Sequence, residues 1–322
     1  MPTENSAVPG TMATTSFASR LTTVIESKKT PLVVGLDPRI ANLPQSLRKG
    51  LPEIPTSEAE LEAVAARYFE FCKGIIDVVA PLVPAVKPQA AFFEQLGPHG
   101  MKALNAAVKY ARDAGLLVIM DAKRGDIGST ATAYAGAFLG PDSPWGADAL
   151  TVNPYMGTDT LEPFTVRATR TGSGIFVLVK TSNPGSGTLQ ELVADGATVY
   201  QHVARHIQQL NEELRSDSEY GPVGAVVGAT YPEQLAELRK KMSRAIFLVP
   251  GVGAQGGMAA DVAAAFDENG HGAVINSSRA IIFAWQRPEF ESATDWQNAT
   301  ELATRQTIDQ IADQTNAGRL RN

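Results

Sequence analysis

Eight short apolar runs rich in β-branched residues recur along the chain, and this recurrence constrains its fold more than any other feature. The runs cover 31–38, 82–89, 116–123, 148–155, 174–185, 223–232, 245–253 and 272–279. They are continuously apolar, which is typical of strands buried on both faces of a parallel sheet. Helix-like stretches lie between them, so the pattern predicts an α/β protein made of strand–helix units. Eight units favour a single (β/α)8 TIM barrel over a doubly wound open sheet, which usually has fewer strands.

The chain is long enough for such a barrel and for a short extension before it. With 322 residues, of which 44% are hydrophobic, it can bury a large core, and α/β barrels commonly reach this length as one unit. Residues 1–20 carry an early acid and no continuous apolar centre, unlike a secretory signal. We therefore expect a flexible N-terminal extension over 1–20, a barrel over 21–322 and a cytoplasmic location.

Composition argues against several classes of protein. The net charge is −6, without a basic block or stripe, which argues against a nucleic-acid partner. No apolar run approaches the roughly 18 residues of a membrane span. The single cysteine, Cys72, excludes an internal disulfide and a multi-cysteine metal site. Since the four histidines also lack metal-ligand spacing, we expect no metal centre.

Polar side chains gather at the C-terminal ends of the apolar runs. Seven run ends carry them: Asp37; Lys87; Asp121 with Lys123; Asn153; Thr181 with Ser182; Gln255; and Arg279. In a barrel these ends converge on one mouth, where barrel enzymes place their active sites. Any one of these residues alone fits an ordinary charged turn, but their recurrence at seven ends predicts a functional site.

The densest charge at this predicted mouth comes from Lys87 and the stretch "DAKRGD" at 121–126. Asp121 and Lys123 are two positions apart, so both point the same way at a strand end. Lys87 comes from the preceding strand, about 5 Å away, so that Lys87, Asp121, Lys123 and Asp126 form an array of alternating charge. Opposite charges about 4 Å apart attract by roughly 4 kcal/mol at an effective dielectric constant near 20.

Such an array has a chemical consequence for its lysines. Nearby carboxylates favour the charged form of a lysine, whereas a Schiff-base nucleophile needs a neutral amine. The array therefore favours an ammonium group that neutralises a developing carbanion and then donates a proton. The alternative is a salt-bridge ring that only braces the barrel.

A second pattern, G-x-G-x-x-G, occurs at Gly251, Gly253 and Gly256. A dinucleotide fold is disfavoured, because six predicted strands precede it and no acid ends the next strand. We favour a loop whose backbone N–H groups hold a phosphate, since the loops after strands seven and eight form the usual barrel phosphate site. Arg279 adds a forked cation suited to phosphate oxygens, and Gln255 is placed to link phosphate and ligand. A plain glycine turn beside a surface arginine is the alternative.

Several stretches match one known family. "DAKRGDIGST" fits the D-x-K-x-x-D-I-x-x-T pattern of the orotidine 5′-phosphate decarboxylases. "AVKPQAAFFEQLG" around Lys87, "GLDP" in the first run, "PGVGAQGG" in the seventh and "SRAI" in the eighth also fit, in order, over about 31–282. The chain thus resembles this family, and its length, "VKTSNPG" and "NPYMG" resemble the longer, type 2 branch. One position departs from the compact branch, which has Gly where Ser278 precedes Arg279.

The resemblance implies an activity and a set of roles. The activity is conversion of orotidine 5′-phosphate to UMP and carbon dioxide, the last step of UMP synthesis, without metal or organic cofactor. Lys123 would donate the proton to C6 of the pyrimidine, and Asp121 would lie against the departing carboxylate. The other implied roles are ribose and Asp121 binding by Lys87, ribose binding by Asp37, pyrimidine binding by Ser182, and phosphate binding by Gln255 and Arg279. Asp126 and Thr130 would reach into the neighbouring subunit's site, so a homodimer with shared active sites is implied.

The residues themselves leave two other classes of function open. One is a related barrel enzyme, either a phosphosugar decarboxylase or a lysine Schiff-base aldolase. Lys180, at the end of the strand in the fifth run, is a candidate aldolase lysine, although a structural role is favoured for it. The other class is a phosphate-ligand-binding barrel without catalysis, against which the intact set of two lysines and two aspartates argues.

Overall fold

The fold is a closed barrel of eight parallel strands, in a computed structural model that describes residues 15–214, 216–251 and 258–321. The strands pair in chain order, and β1 closes the barrel by pairing with both β2 and β8. They are β1 Leu32–Leu36, β2 Ala85–Pro88, β3 Leu117–Arg124, β4 Ala149–Val152, β5 Gly174–Lys180, β6 Val223–Val227, β7 Phe247–Pro250 and β8 Ala273–Ser277. Each lies within or overlaps one of the eight apolar runs, so the predicted (β/α)8 barrel is confirmed.

Helices follow the strands and surround the barrel. They are α1 Phe17–Lys28, α2 Gln45–Arg48, α3 Glu58–Val79, α4 Ala91–Glu94, α5 Gly97–Asp113, α6 Gly128–Phe138, α7 Glu162–Thr171, α8 Gly187–Gln190, α9 Val199–Glu213, α10 Pro232–Lys241, α11 Arg279–Ile282 and α12 Trp296–Gln314. A 3-10 helix at Ala259–Ala265 lies between β7 and β8, and a small hairpin pairs Val193–Ala194 with Ala197–Thr198. None of the described helices is both long and apolar enough to span a membrane.

The barrel strands separate two hydrophobic cores. Side chains at alternate positions, such as Leu117 and Ile119 of β3, belong to the cluster inside the barrel. Their neighbours Val118 and Met120 belong to the larger cluster between the barrel and its helices. This two-sided burial explains why the strands are apolar along their whole length instead of at every second residue.

Helix α1 packs against the N-terminal end of the barrel. Phe17 and Leu21 are buried in the interior cluster, and the Phe17 ring meets the Phe176 ring edge-on at 5.9 Å between centroids. Gly174, at the start of β5, leaves room for Phe17, since a Cβ atom there would lie 2.4 Å from the Phe17 ring. The boundary predicted at residue 20 therefore falls inside α1. The folded unit already includes Phe17. In the sequence, the polar residues around Phe17 gave no sign that it is buried.

Candidate active site

A pocket of about 590 Å³ opens at the C-terminal ends of the barrel strands. Its walls come from the strand ends and from the loops that follow them. Seven of the polar residues that the sequence places at run ends line this one pocket: Asp37, Lys87, Asp121, Lys123, Thr181, Ser182 and Arg279. The polar strand ends thus do converge at one mouth.

The floor of the pocket continues the barrel interior. Ala85 and Ile119 point into the interior cluster, and the residues two positions further along their strands are Lys87 and Asp121. Thr151 follows Ala149 of β4 in the same way. Because side chains alternate along a strand, the interior ends in a layer of polar groups at the C-terminal end of the barrel.

The Asp121 carboxylate is the centre of this layer. Oδ2 accepts from the Lys87 ammonium at 2.6 Å and from the Gln89 amide at 2.9 Å. Oδ1 accepts from the Lys123 ammonium at 2.5 Å and from the Thr151 hydroxyl at 3.1 Å. Asp121 and Lys87 are almost completely buried, whereas 45% of the Lys123 side chain is exposed. Two lysines therefore share one carboxylate, and Lys123 is far more exposed than Lys87.

Lys123 does not continue the regular strand. Its φ is +48°, in the left-handed region that non-glycine residues rarely adopt, and the pairing of β3 with β4 shifts register between Met120 and Arg124. The Lys123 backbone N–H donates to the Thr151 hydroxyl at 2.9 Å, which holds this conformation. The predicted contact between Lys123 and Asp121 is present, but simple strand alternation does not produce it. Strained backbone of this kind concentrates at functional sites.

The charges of the array stabilise one another. Burial by itself raises the pKa of Asp121, but the positive charges of Lys87 and Lys123 outweigh burial and hold that pKa well below its usual range. Burial likewise lowers the pKa of Lys87, but the charges of Asp121 and then Asp37, with the hydrogen bond to Asp121, outweigh it and raise that pKa above its usual value. At neutral pH Asp121 is an anion and Lys87 is a cation.

Other walls of the pocket offer groups that suit a polar ligand. Asp37 Oδ1 is buried, and none of the described residues donates a hydrogen bond to it. The Arg279 guanidinium, at the start of α11, is exposed and forms no ion pair or hydrogen bond with a described residue. Arg39 also lines the pocket, with its guanidinium 4.7 Å from the centre of the Phe92 ring. The pocket thus presents an acceptor and two cations besides the Asp121 array.

Four of the residues that the sequence predicts are not among the described residues that line this pocket. Asp126 accepts from the backbone N–H of Ile127 at 2.8 Å, and Thr130 is exposed on the first turn of α6; neither lines the pocket. Gln255 lies outside the described residues. Asn153, although at a strand end, is exposed and accepts from the backbone N–H of Tyr155 at 3.0 Å, so it shapes its loop. Among the described residues, no group of three acidic, histidine or cysteine side chains could hold a metal.

Five polar residues that line the site were missed in the sequence: Arg39, Gln89, Thr151, Asn183 and Asn276. Thr151 and Asn276 are single polar residues inside apolar runs, and their position two residues beyond an interior side chain was the available signal. Asn276 also provides a hydrogen-bond partner for Ser278, the position that departs from the compact branch, since the Asn276 amide donates to the Ser278 hydroxyl at 3.3 Å. That hydroxyl packs against Gly35, where a Cβ atom would lie only 1.8 Å from it.

Sequence and structure comparisons point to one family. A profile of the orotidine 5′-phosphate decarboxylase / HUMPS family matches residues 30–293. The chain belongs to this family. Orotidine 5′-phosphate decarboxylase of Rhodopirellula baltica is 57% identical over 303 residues, which cover 92% of this chain and 99% of that protein. The Deinococcus radiodurans enzyme of the same name is 42% identical, covering 84% and 90%.

A solved structure supports the same assignment. Leishmania donovani OMP decarboxylase superposes with a TM-score of 0.70 at 34% identity, covering 92% of this chain and 98% of that one. The match to the orotidine 5′-phosphate decarboxylase / HUMPS family spans every residue of the pocket, from Asp37 to Arg279. The resemblance inferred from the motifs is thereby confirmed.

Proposed function

We propose that the protein converts orotidine 5′-phosphate to UMP and carbon dioxide, without metal or organic cofactor, as the last step of UMP synthesis in the cytoplasm. The observation that carries this proposal is the sharing of the Asp121 carboxylate by two ammonium groups at the floor of the pocket. Family membership and the names of the relatives support the same substrate.

The geometry supports Lys123 as the proton donor. When the bond between C6 and the carboxylate breaks, the electron pair stays on C6 and carbon dioxide leaves. Asp121 cannot supply the proton that C6 then takes up, because its low pKa keeps it ionised. Lys87 is almost completely buried, so the partly exposed Lys123 is the better placed of the two ammonium groups to face the substrate. Its charge also stabilises the carbanion before the proton moves.

The remaining walls match the other parts of the substrate. Asp37 Oδ1, which lacks a described donor, suits a ribose hydroxyl, and Lys87 lies near enough to Asp37 to feel its charge. Ser182, on the loop after β5, would contact the pyrimidine. Arg279, with Gln255, would hold the phosphate. Asp121 would face the substrate carboxylate, whose departure then relieves the contact between two anions.

The direct test is to mix purified protein with orotidine 5′-phosphate and to follow the loss of orotidylate absorbance together with the release of carbon dioxide. We expect both at equal rates. Borohydride added with substrate distinguishes an aldolase, because it would reduce a lysine imine and increase the protein mass. We expect no mass change. Absence of turnover, or a trapped lysine adduct, would contradict the proposal.

We further propose that the active sites are shared between two subunits. Asp126 and Thr130 do not line the pocket of their own chain. Exposed apolar side chains lie in the same part of the molecule, among them Ile127 and Tyr155, with 61% and 76% exposure. An exposed apolar surface of this kind suits a protein interface. Asp126 and Thr130 would then complete the partner's pocket.

Subunit mixing tests the shared site. Lys123→Ala and Asp126→Ala are expected to be inactive alone. If Asp126 serves the partner's pocket, a mixed dimer has one site with both defects and one with neither. Random exchange of equal amounts makes about half the dimers mixed, so activity should return to about a quarter of wild type if the sites work independently. No recovery, with exchange verified by mass, would refute sharing and leave the role of Lys123 intact.

A further inference from the structure

Lys180 is a fully buried ammonium group that the proposed chemistry does not use. It ends β5 and has no solvent exposure. Strand alternation from Phe176 and Leu178 would direct it into the pocket, but the pairing of β5 with β6 shifts register between Leu178 and Lys180. It is absent from the pocket lining that the structure describes. Because burying a charge is costly unless it is paired, its partners indicate what it does.

The partners of Lys180 come from two different loops. Its Nζ donates to the Ser186 hydroxyl at 2.6 Å and lies 3.0 Å from Glu191 Oε1, both in the loop after β5. The same ammonium is 4.1 Å from the centre of the Tyr231 ring, which belongs to the loop after β6. The Tyr231 hydroxyl is 3.5 Å from that of Ser186. One cation therefore joins both loops from behind the pocket wall.

The loop that Lys180 anchors forms part of the pocket. Thr181, Ser182 and Asn183 line it directly. Gln190, next to the ion-paired Glu191, accepts from the Thr181 backbone N–H at 3.0 Å and donates to the Thr181 hydroxyl at 2.8 Å. The far end of the loop is thus bonded to its start. A shift of Ser186 or Glu191 away from Lys180 would therefore displace the segment that lines the pocket.

We propose that Lys180 is a positioning residue, which sets the pyrimidine side of the pocket by fixing the loop that carries Ser182. This inference rests on the proposed function, since it takes the nucleotide as the ligand. Lys180 does not touch the substrate and takes no part in proton transfer. Its loss should weaken the binding of the base while leaving the ribose and phosphate contacts in place.

Lys180→Met tests the proposal, because methionine keeps an unbranched apolar side chain and removes the charge. We expect KM for orotidine 5′-phosphate and Kd for UMP to rise about tenfold or more, with a smaller change in kcat. Inhibition by ribose 5-phosphate, which lacks the base, should keep its wild-type inhibition constant. A purely structural lysine would lower Tm and move neither KM nor Kd.

Arg20→Met is the matched control. It removes an ion pair at the opposite end of the barrel, where Arg20 is 2.5 Å from Asp148, so it should lower Tm without changing KM. Glu191→Gln removes the negative charge of the half-exposed partner and so weakens its contact with Lys180. This variant tests the proposal if Lys180→Met does not fold. Its KM should rise by a smaller factor than that of Lys180→Met. Unchanged KM and Kd in whichever Lys180 or Glu191 variant folds would overturn the inference while wild type still turned over. A wild type without turnover or UMP binding would instead refute the proposed function, and this inference with it.

Discussion

The two ends of the barrel each hold an ion pair of similar length but differ in what surrounds it. At the N-terminal end, Arg20 pairs with Asp148, whose other oxygen accepts from the Val118 backbone N–H at 2.9 Å. Helix α1 covers that end with Phe17 and Leu21, and Arg20 also donates to the Gly172 carbonyl at 3.1 Å. At the C-terminal end, Asp121 is paired just as closely, yet Lys123 is strained and partly exposed and Asp37 has an acceptor without a described donor.

This difference separates stability from function in one fold. A closed and satisfied layer contributes to folding, because it buries apolar surface and leaves few polar groups unpaired. A layer with strain and unpaired acceptors costs folding free energy and is maintained by the rest of the structure. Such a layer is suited to bind a ligand that completes its hydrogen bonds. Substitutions at the two ends should therefore have separable effects.

Lys123→Ala should have the largest effect and should act on chemistry alone. In the proposed mechanism it removes both the charge that stabilises the carbanion and the source of the proton, so kcat should fall by at least about a thousandfold. Steady-state turnover of orotidine 5′-phosphate measures this, and UMP binding with thermal unfolding provides the controls. Because the Lys123 side chain is partly exposed and Lys87 still pairs with Asp121, Tm should not fall greatly. Near-normal turnover in a folded variant would exclude Lys123 as the donor.

Phe17→Ala should do the reverse. It removes a buried ring from the closed end, and such truncations cost roughly 3 kcal/mol of stability. Denaturant or thermal unfolding should show this loss, while kcat and KM for orotidine 5′-phosphate stay at wild-type values at temperatures where the variant is folded. Loss of turnover in a fully folded variant would mean that the two ends of the barrel are coupled, and would contradict the separation of stability from function between them.

The sequence predicted the barrel because parallel strands buried on two faces leave a strong local pattern. The extension boundary predicted at residue 20 is too late, because Phe17 is already buried in α1. The apolar residues of α1 are few and scattered, so this stretch of sequence resembles an ordinary polar segment. A helix that closes one end needs a narrow apolar contact, and its partner Phe176 lies far away in the chain. That partnership exists only in three dimensions.

At the mouth, strand-end position and residue chemistry together predicted Lys87, Asp121 and Lys123. The same approach could not predict the left-handed backbone of Lys123, because a register shift has no local sequence marker. It also missed Thr151, which supports both Asp121 and the Lys123 backbone from a neighbouring strand. Supporting residues are uncharged and lie within apolar runs, so they are recognised only when the carboxylate they contact is known.

Arg279→Ala should have an intermediate effect, confined to the open end. In the proposed function Arg279 binds the phosphate, which does not react, so its loss should lower kcat/KM by about ten- to a hundredfold, mostly through KM. Steady-state kinetics with orotidine 5′-phosphate, and with orotidine as the substrate that lacks phosphate, measure this. The variant should discriminate less between the two substrates than wild type does. Equal use of both substrates by wild type would show that Arg279 does not bind phosphate.

The smallest expected effect is that of pH on kcat, and it follows from the charge states at the mouth. Asp121 has a folded pKa below its unfolded value of about 3.9, so its contribution to stability is present above pH 4 or so and is lost as the pH falls through the folded value. Lys87 has a folded pKa above its unfolded value of about 10.4. Its contribution is present below that value and is lost as the pH rises through the folded pKa.

Between about pH 5 and 9 the Lys87–Asp121 pair therefore keeps one charge state. We expect kcat, measured at saturating orotidine 5′-phosphate, to show no ionisation from this pair across that range. The substrate phosphate, which titrates near pH 6, should affect KM more than kcat. A neutral lysine nucleophile would behave differently, because its activity rises as the amine loses its proton. A kcat that rises through a midpoint near neutrality would thus contradict the assigned charges and favour amine chemistry at the open end of the barrel.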